Sequence, residues 1–151
     1  IVNTRGCIYP YPEGLVLRST YHVFDLYVNY LGDTVVDCWC EELPEMEVTH
    51  KNGTAMKIDA VDVLVTKWSD RPGTALALVN KHPSQSQPVN LSLPFPSGQV
   101  TKYEISGKSK VSYNDVGRNE VEIQTEDLGV FCEGMEVVLK PHSVTVIQIA
   151  E

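Results

Sequence analysis

The amino-acid sequence predicts a mainly β protein: an antiparallel β-sandwich, jelly-roll-like, preceded by one short strand-loop-helix piece of α/β character. Three observations predict it. Short segments of alternating polarity recur from residue 34 onward, separated by turns rich in Gly, Pro and Asn. One segment, Ala75 to Lys81, is apolar almost throughout, as in a central strand covered on both faces. The single helical stripe is confined to residues 19–32.

The elements follow in chain order. Ile1-Val2, ahead of the polar run Asn3-Thr4-Arg5-Gly6, reads as a strand running into a loop. Tyr9-Pro10-Tyr11-Pro12-Glu13-Gly14 reads as an extended loop, because each proline excludes the helical region for its predecessor. Val23, Tyr27 and Leu31 are spaced by four and flanked by Phe24 and Val28, which predicts one wide apolar helix face. Ser19 or Thr20 suits the N-cap, and Gly32 suits a left-handed position after the last turn. A strand and a helix cannot build a core alone, so the stripe must pack on the sandwich or on another copy of the chain.

The remaining elements are all β. Expected strands cover 34–40, 46–50, 57–68, 75–81, 88–93, 99–105, 120–125, 135–139 and 143–150. Asn52-Gly53 marks a hairpin turn, and Arg71-Pro72-Gly73-Thr74 and Pro94-Phe95-Pro96-Ser97-Gly98 mark corners. The organisation expected is residues 1–32 as one unit and 33–151 as the sandwich domain.

Bulk properties narrow the partners. The 151 residues carry a formal net charge of −8, so a phosphate backbone would be repelled and nucleic acid is not expected. Neutral sugars carry no such penalty. No apolar stretch reaches the roughly 20 residues that span a bilayer, so no membrane partner is expected either. The chain starts at Ile1 without a visible leader and reads as a piece of a longer polypeptide. That leaves the compartment open between cytoplasm and periplasm or secretion.

Chemistry-bearing residues are few. Cys7, Cys38, Cys40 and Cys132 are too scattered for a disulfide framework. Cys38 and Cys40 lie on an expected strand, facing one side, as small buried apolar groups; a zinc site would need two further ligands. His22 falls within the helix, and His50, His82 and His142 at turns or strand ends. Glu41, Glu42 and Glu45 read as solvated charge, and no two carboxylates are placed to face each other across a glycosidic bond. Trp39, Trp68, Tyr103 and Tyr113 are either core and interface residues or stacking platforms for sugar rings. No catalytic residue, resident metal or cofactor is expected.

Five segments together carry a family resemblance: Ile1-Val2-Asn3-Thr4-Arg5-Gly6-Cys7-Ile8-Tyr9, Thr20-Tyr21-His22-Val23-Phe24-Asp25-Leu26-Tyr27, Leu76-Ala77-Leu78-Val79-Asn80-Lys81-His82, Tyr113-Asn114-Asp115 and Leu139-Lys140-Pro141-His142-Ser143-Val144. In this order they resemble the C-terminal end of the α-L-arabinofuranosidases of glycoside hydrolase family 51. The resemblance implies a parent with a (β/α)₈ barrel followed by a β-sandwich. Residues 1–32 would then be the last barrel strand, loop and helix. It implies a retaining hydrolase of terminal α-L-arabinofuranosyl groups, with two glutamates on earlier barrel strands, an inactive fragment here, and a homo-oligomer. Barrel sites form at strand C-termini, so Thr4 and Arg5 are the candidate substrate contacts. The glutamine that some members place near there is missing, and Gly117-Arg118-Asn119-Glu120 departs from a frequent downstream proline. Two rival readings are a stand-alone carbohydrate-binding module and an interaction domain holding metal on Cys38 and Cys40.

Overall fold

The computed structural model describes residues 6–94 and 97–150. The expected strand at Ile1-Val2, both candidate contacts Thr4 and Arg5, and Phe95-Pro96 of the corner lie outside the described residues.

The first region departs from a plain strand-loop-helix. The Tyr-Pro segment is a hairpin, β1 (Ile8–Tyr11) pairing antiparallel with β2 (Gly14–Leu17). Proline is tolerated in such a two-stranded ribbon, where a missing N–H can face outward. Helix α1 (Ser19–Tyr30) follows. Its N-cap is Arg18, with no side-chain cap hydrogen bond, so neither Ser19 nor Thr20 caps it. The helix stops on Leu31 in extended conformation, so Gly32 is not the left-handed terminator expected of it. Gly32 is needed for space: a Cβ there would lie 2.2 Å from the Lys67 carbonyl oxygen.

Next come β3 (Thr34–Val36), the hairpin β4 (Glu45–Thr49) and β5 (Ala55–Asp59), β6 (Val61–Lys67), β7 (Thr74–Asn80) and β8 (Gln87–Leu91). The chain ends with β9 (Gln99–Ile105), β10 (Ile123–Val130), β11 (Met135–Leu139) and β12 (Ser143–Ala150). The described residues thus hold twelve strands, because Ala60 splits the expected 57–68 strand and the Tyr-Pro hairpin adds two. Gly53 sits at a left-handed φ of 86° in the β4–β5 turn, as the Asn-Gly signal requires.

The six-stranded antiparallel sheet runs β10-β9-β12-β7-β6-β3, with β8–β11 and β4–β5 as separate two-stranded ribbons. β7 shows how one sequence serves two faces. Leu76 and Leu78 join Val61, Val65, Ile147 and Ile149 in a core completed by Leu91, Val137 and Leu139 of the β8–β11 ribbon. Ala75 and Ala77 point the other way, where their small side chains leave room for α1. Leu26 is fully buried there against Ile105, Val121 and Val146. Gln148 Nε2 donates to the Tyr30 carbonyl oxygen at 2.8 Å and ties the helix end to β12.

The expected single helix stripe is divided. Val23, Leu26, Tyr30 and Leu31 meet the sheet. Phe24 and Val28 are 65% and 75% exposed, and Tyr27 is also exposed. Cys38 and Cys40 are corrected too. β3 ends at Val36, and both cysteines are exposed on the following loop. The strand pattern stops early because the segment leaves the edge of the six-stranded sheet for the β4–β5 ribbon and finds no pairing partner on the way.

Candidate functional site

A cleft lies between the β1–β2 hairpin and the loop before β10. Tyr9, Tyr11 and Val16 come from the hairpin. Arg18 and Ser19 form the start of α1, and Tyr113, Asn114 and Asp115 close the far wall. The cavity measures about 310 Å³, large enough for a small ligand.

Local sequence holds each wall. Asp115 and Arg118 exchange two backbone hydrogen bonds, 2.8 and 2.9 Å, around a tight turn with Gly117 at φ 69°. Asn114 is buried and fully used. Its Nδ2 donates to the carbonyl oxygens of Leu17 (2.8 Å) and Val121 (2.6 Å). Its Oδ1 accepts from the backbone of Glu120 and Val121 at 2.9 and 2.8 Å. One amide therefore docks the loop onto the end of β2. The aromatic rings are braced as well. Tyr9 and Tyr11 pack edge to face at 4.3 Å, and the Arg18 guanidinium lies 5.3 Å over Tyr9. Arg118 sits 3.9 Å over the Tyr113 ring and pairs with Glu120 at 2.8 Å. Partial desolvation, then the Asp115 carboxylate, push the Tyr11 hydroxyl above its ordinary pKa, so Tyr11 stays neutral.

The cleft has one carboxylate, Asp115. A second cleft of about 390 Å³, lined by Ser84, Lys108, Lys110 and His142 among others, has none. Neither brings together the two acids that glycoside hydrolysis uses.

The remaining candidates are dispersed. Tyr103 packs on Tyr30 at 4.1 Å, under the helix. Trp68 borders the helix-side core, with Arg71 stacked 4.3 Å above it. Trp39 is 85% exposed on its loop. Tyr113 alone of these four aromatics lines the cleft. Cys40 is held above its usual thiol pKa, first by partial burial and then by neighbouring Cys38. Among the described residues no group of three or more His, Cys, Asp or Glu side chains is arranged to hold a metal. His82 Nδ1 accepts from the backbone of Ser84 and Gln85, and His50 Nδ1 from Asn52, so both are turn residues. His142 bridges the Pro83 and Gly107 carbonyl oxygens. Sequence reasoning missed Tyr9, Tyr11 and Arg18 as cleft residues. Their convergence on Tyr113 requires the hairpin, and no local pattern announces it.

Comparison with known proteins uses nearly the whole chain. The family described as the alpha-L-arabinofuranosidase C-terminal domain matches residues 1–143. The chain belongs to this family. As a member of it, the domain is similar to a family 51 α-L-arabinofuranosidase from Thermotoga petrophila, at 26% identity and a TM-score of 0.82, over 99% of this chain and 32% of that one. An α-L-arabinofuranosidase from Thermotoga maritima, solved as an arabinose complex, shares the fold at 24% identity and a TM-score of 0.84, over 99% and 32%. A family 51 arabinofuranosidase from Xanthomonas axonopodis pv. citri shares it at 21% and 0.74, over 99% and 30%. The domain spans about a third of the length of each of these structures. No curated protein sequence matches it.

Proposed function

We propose that the domain is the C-terminal accessory part of a retaining α-L-arabinofuranosidase, bracing a catalytic (β/α)₈ barrel. The parent would release terminal α-L-arabinofuranosyl groups from arabinose-containing saccharides, with both glutamates contributed by the barrel. In this reading residues 1–32 are the last barrel strand, loop and helix, and Thr4 and Arg5 follow that strand toward the sugar. The six-stranded sheet and the β8–β11 ribbon are the leaves of a jelly-roll-like sandwich. Self-association of the parent belongs to the same reading.

One observation carries it. Helix α1 has two apolar faces, and only one is covered. Leu26 is sealed against the sheet while Phe24 and Val28 stand in solvent. A helix that is apolar on both sides belongs between two layers. A barrel's own strands and neighbouring helices supply the second layer.

The test joins the chain to the polypeptide encoded directly upstream and measures cleavage of an aryl α-L-arabinofuranoside. The joined protein hydrolyses it, and the 151-residue chain alone does not. Phe24→Asp with Val28→Asp leaves the isolated domain folded but lowers the yield of active joined enzyme several-fold. Turnover by the chain alone, or an upstream polypeptide without a barrel, overturns the proposal.

A further inference from the structure

We infer that the cleft between the β1–β2 hairpin and the 113–118 turn is a binding subsite for a neutral saccharide unit, separate from hydrolysis. The inference rests on the preceding reading for its choice of sugar. Its physical basis is the cleft itself.

Three features select a neutral, hydroxyl-rich ligand. Tyr9, Tyr11 and Tyr113 supply rings with an apolar body and a polar tip, the surface that suits a sugar's C–H face and hydroxyl edge. Arg18 and Asp115 bring one positive and one negative group to the rim. Together they leave the cleft without a net charge that would favour an anion or a cation, while the tyrosine hydroxyls add donors and acceptors. Finally, the walls are assembled before any ligand arrives. Asn114 locks the turn to β2, and Arg118, paired with Glu120, stacks on the Tyr113 ring. A preassembled wall spares the ligand the cost of ordering it.

The cleft is not a second active site. It holds a single carboxylate, so it can bind and position a chain without cleaving it. Its hairpin wall begins only a few residues after Thr4 and Arg5, which places the subsite on the loop that leaves the proposed last barrel strand. A saccharide held here would be a more distant unit of the chain presented for cleavage, or one anchored beside it.

The experiment titrates the isotope-labelled 151-residue chain with α-1,5-arabinotriose and follows backbone amide shifts. Saturable shifts are expected at residues of the hairpin, the start of α1 and the 113–118 turn. Tyr113 is 49% exposed, so Tyr113→Ala should fold; it is expected to weaken binding at least about tenfold, the loss of roughly one stacking contact. Tyr113→Phe keeps the ring and is expected to retain affinity within about twofold. A dispersed spectrum with no saturable shift up to about 50 mM, far above ordinary weak affinities, overturns the inference. So does binding unchanged in Tyr113→Ala, or tighter binding of trigalacturonate than of arabinotriose. None of these readouts uses hydrolysis. A chain that binds nothing yet supports an active joined enzyme refutes the subsite alone. Arabinotriose binding by a chain whose joined form is inactive refutes the accessory role alone.

Discussion

Asn114 Nδ2 donates to the carbonyl oxygen of Leu17 at 2.8 Å, across 97 residues of sequence. The three other bonds of the same amide tie up the loop before β10 from within, and this one fastens that loop to the hairpin that precedes α1. Asn114→Ala leaves Val121 N–H and C=O without their partner in a buried setting. The expected loss is about 2–4 kcal/mol, since each orphaned buried group costs about 1–3. Urea unfolding checks it. Asn114→Asp is expected to be no better, because a carboxylate oxygen would face two carbonyl oxygens. A midpoint unchanged in both variants would contradict the strap.

Gly32 and Gly134 separate crowding from conformation. At Gly32 an added Cβ meets the Lys67 carbonyl at 2.2 Å, and its N–H is already committed to Thr66 Oγ1 at 2.9 Å. At Gly134 the φ is 75° and nothing lies within 4 Å of a new Cβ. Gly134→Ala should therefore cost only the left-handed penalty, about 1–2 kcal/mol. Gly32→Ala must push α1 off the sheet edge and should cost clearly more, with a correspondingly larger fall in Tm. Equal losses would show that the helix end can move freely.

Glu104 is the least expected charge in the molecule. It lies on the same face of β9 as the core residue Val100, 1% exposed, opposite Thr145 of β12. Lys140 pairs with it from the exposed side, and Lys102 Nζ stands 3.9 Å away while also pairing with Glu126 at 2.7 Å. Neither carboxylate oxygen has a well-directed hydrogen bond among the described residues, so the charge is held by ion pairing. Lys102→Met with Lys140→Met strands the carboxylate and should cost about 3 kcal/mol, less whatever water at half-exposed Lys140 already screened. Adding Glu104→Leu should recover most of it. Denaturant midpoints of the double and triple variants decide, and a triple variant as weak as the double would refute the account.

His22 makes stability depend on pH in mild acid. Its ring is partly buried, with Nε2 3.4 Å from Asn114 Nδ2. Burial pulls its pKa below the ordinary 6.5, outweighing the charges of Asp25 and Glu122. The unfolded chain then takes up a proton at a higher pH than the folded one. His22's contribution is complete above about pH 6.5 and declines as pH falls toward the folded value. The lowered Glu120, Glu126 and Asp33 act further into acid, where carboxylates titrate. Stability measured between about pH 5 and 7.5 should fall on acidification, and His22→Gln should flatten that slope. An unchanged slope would assign it to another group.

Much of the sheet was legible without coordinates. The 99–105, 135–139 and 143–150 strands occur at the residues the alternation marks, and the apolar Ala75–Lys81 run is the central β7. These segments pair with strands on one or both sides, so each residue's environment is set by the period-two pleat that the sequence itself displays. Cys38 and Cys40 had the right local composition and became exposed loop, because a strand also needs a partner and the chain provides none after Val36.

The sequence by itself determined the family, the antiparallel β character and the alternating large and small residues of β7 that admit a ribbon on one face and a helix on the other. Only the tertiary structure decided which half of α1 is covered, where Glu104 is buried, and that Tyr9, Tyr11, Arg18 and Tyr113 line one cleft. The physical reason is range. Pleat and helix period act between near neighbours, whereas burial and cleft shape come from contacts between segments about a hundred residues apart, such as Leu17 and Asn114.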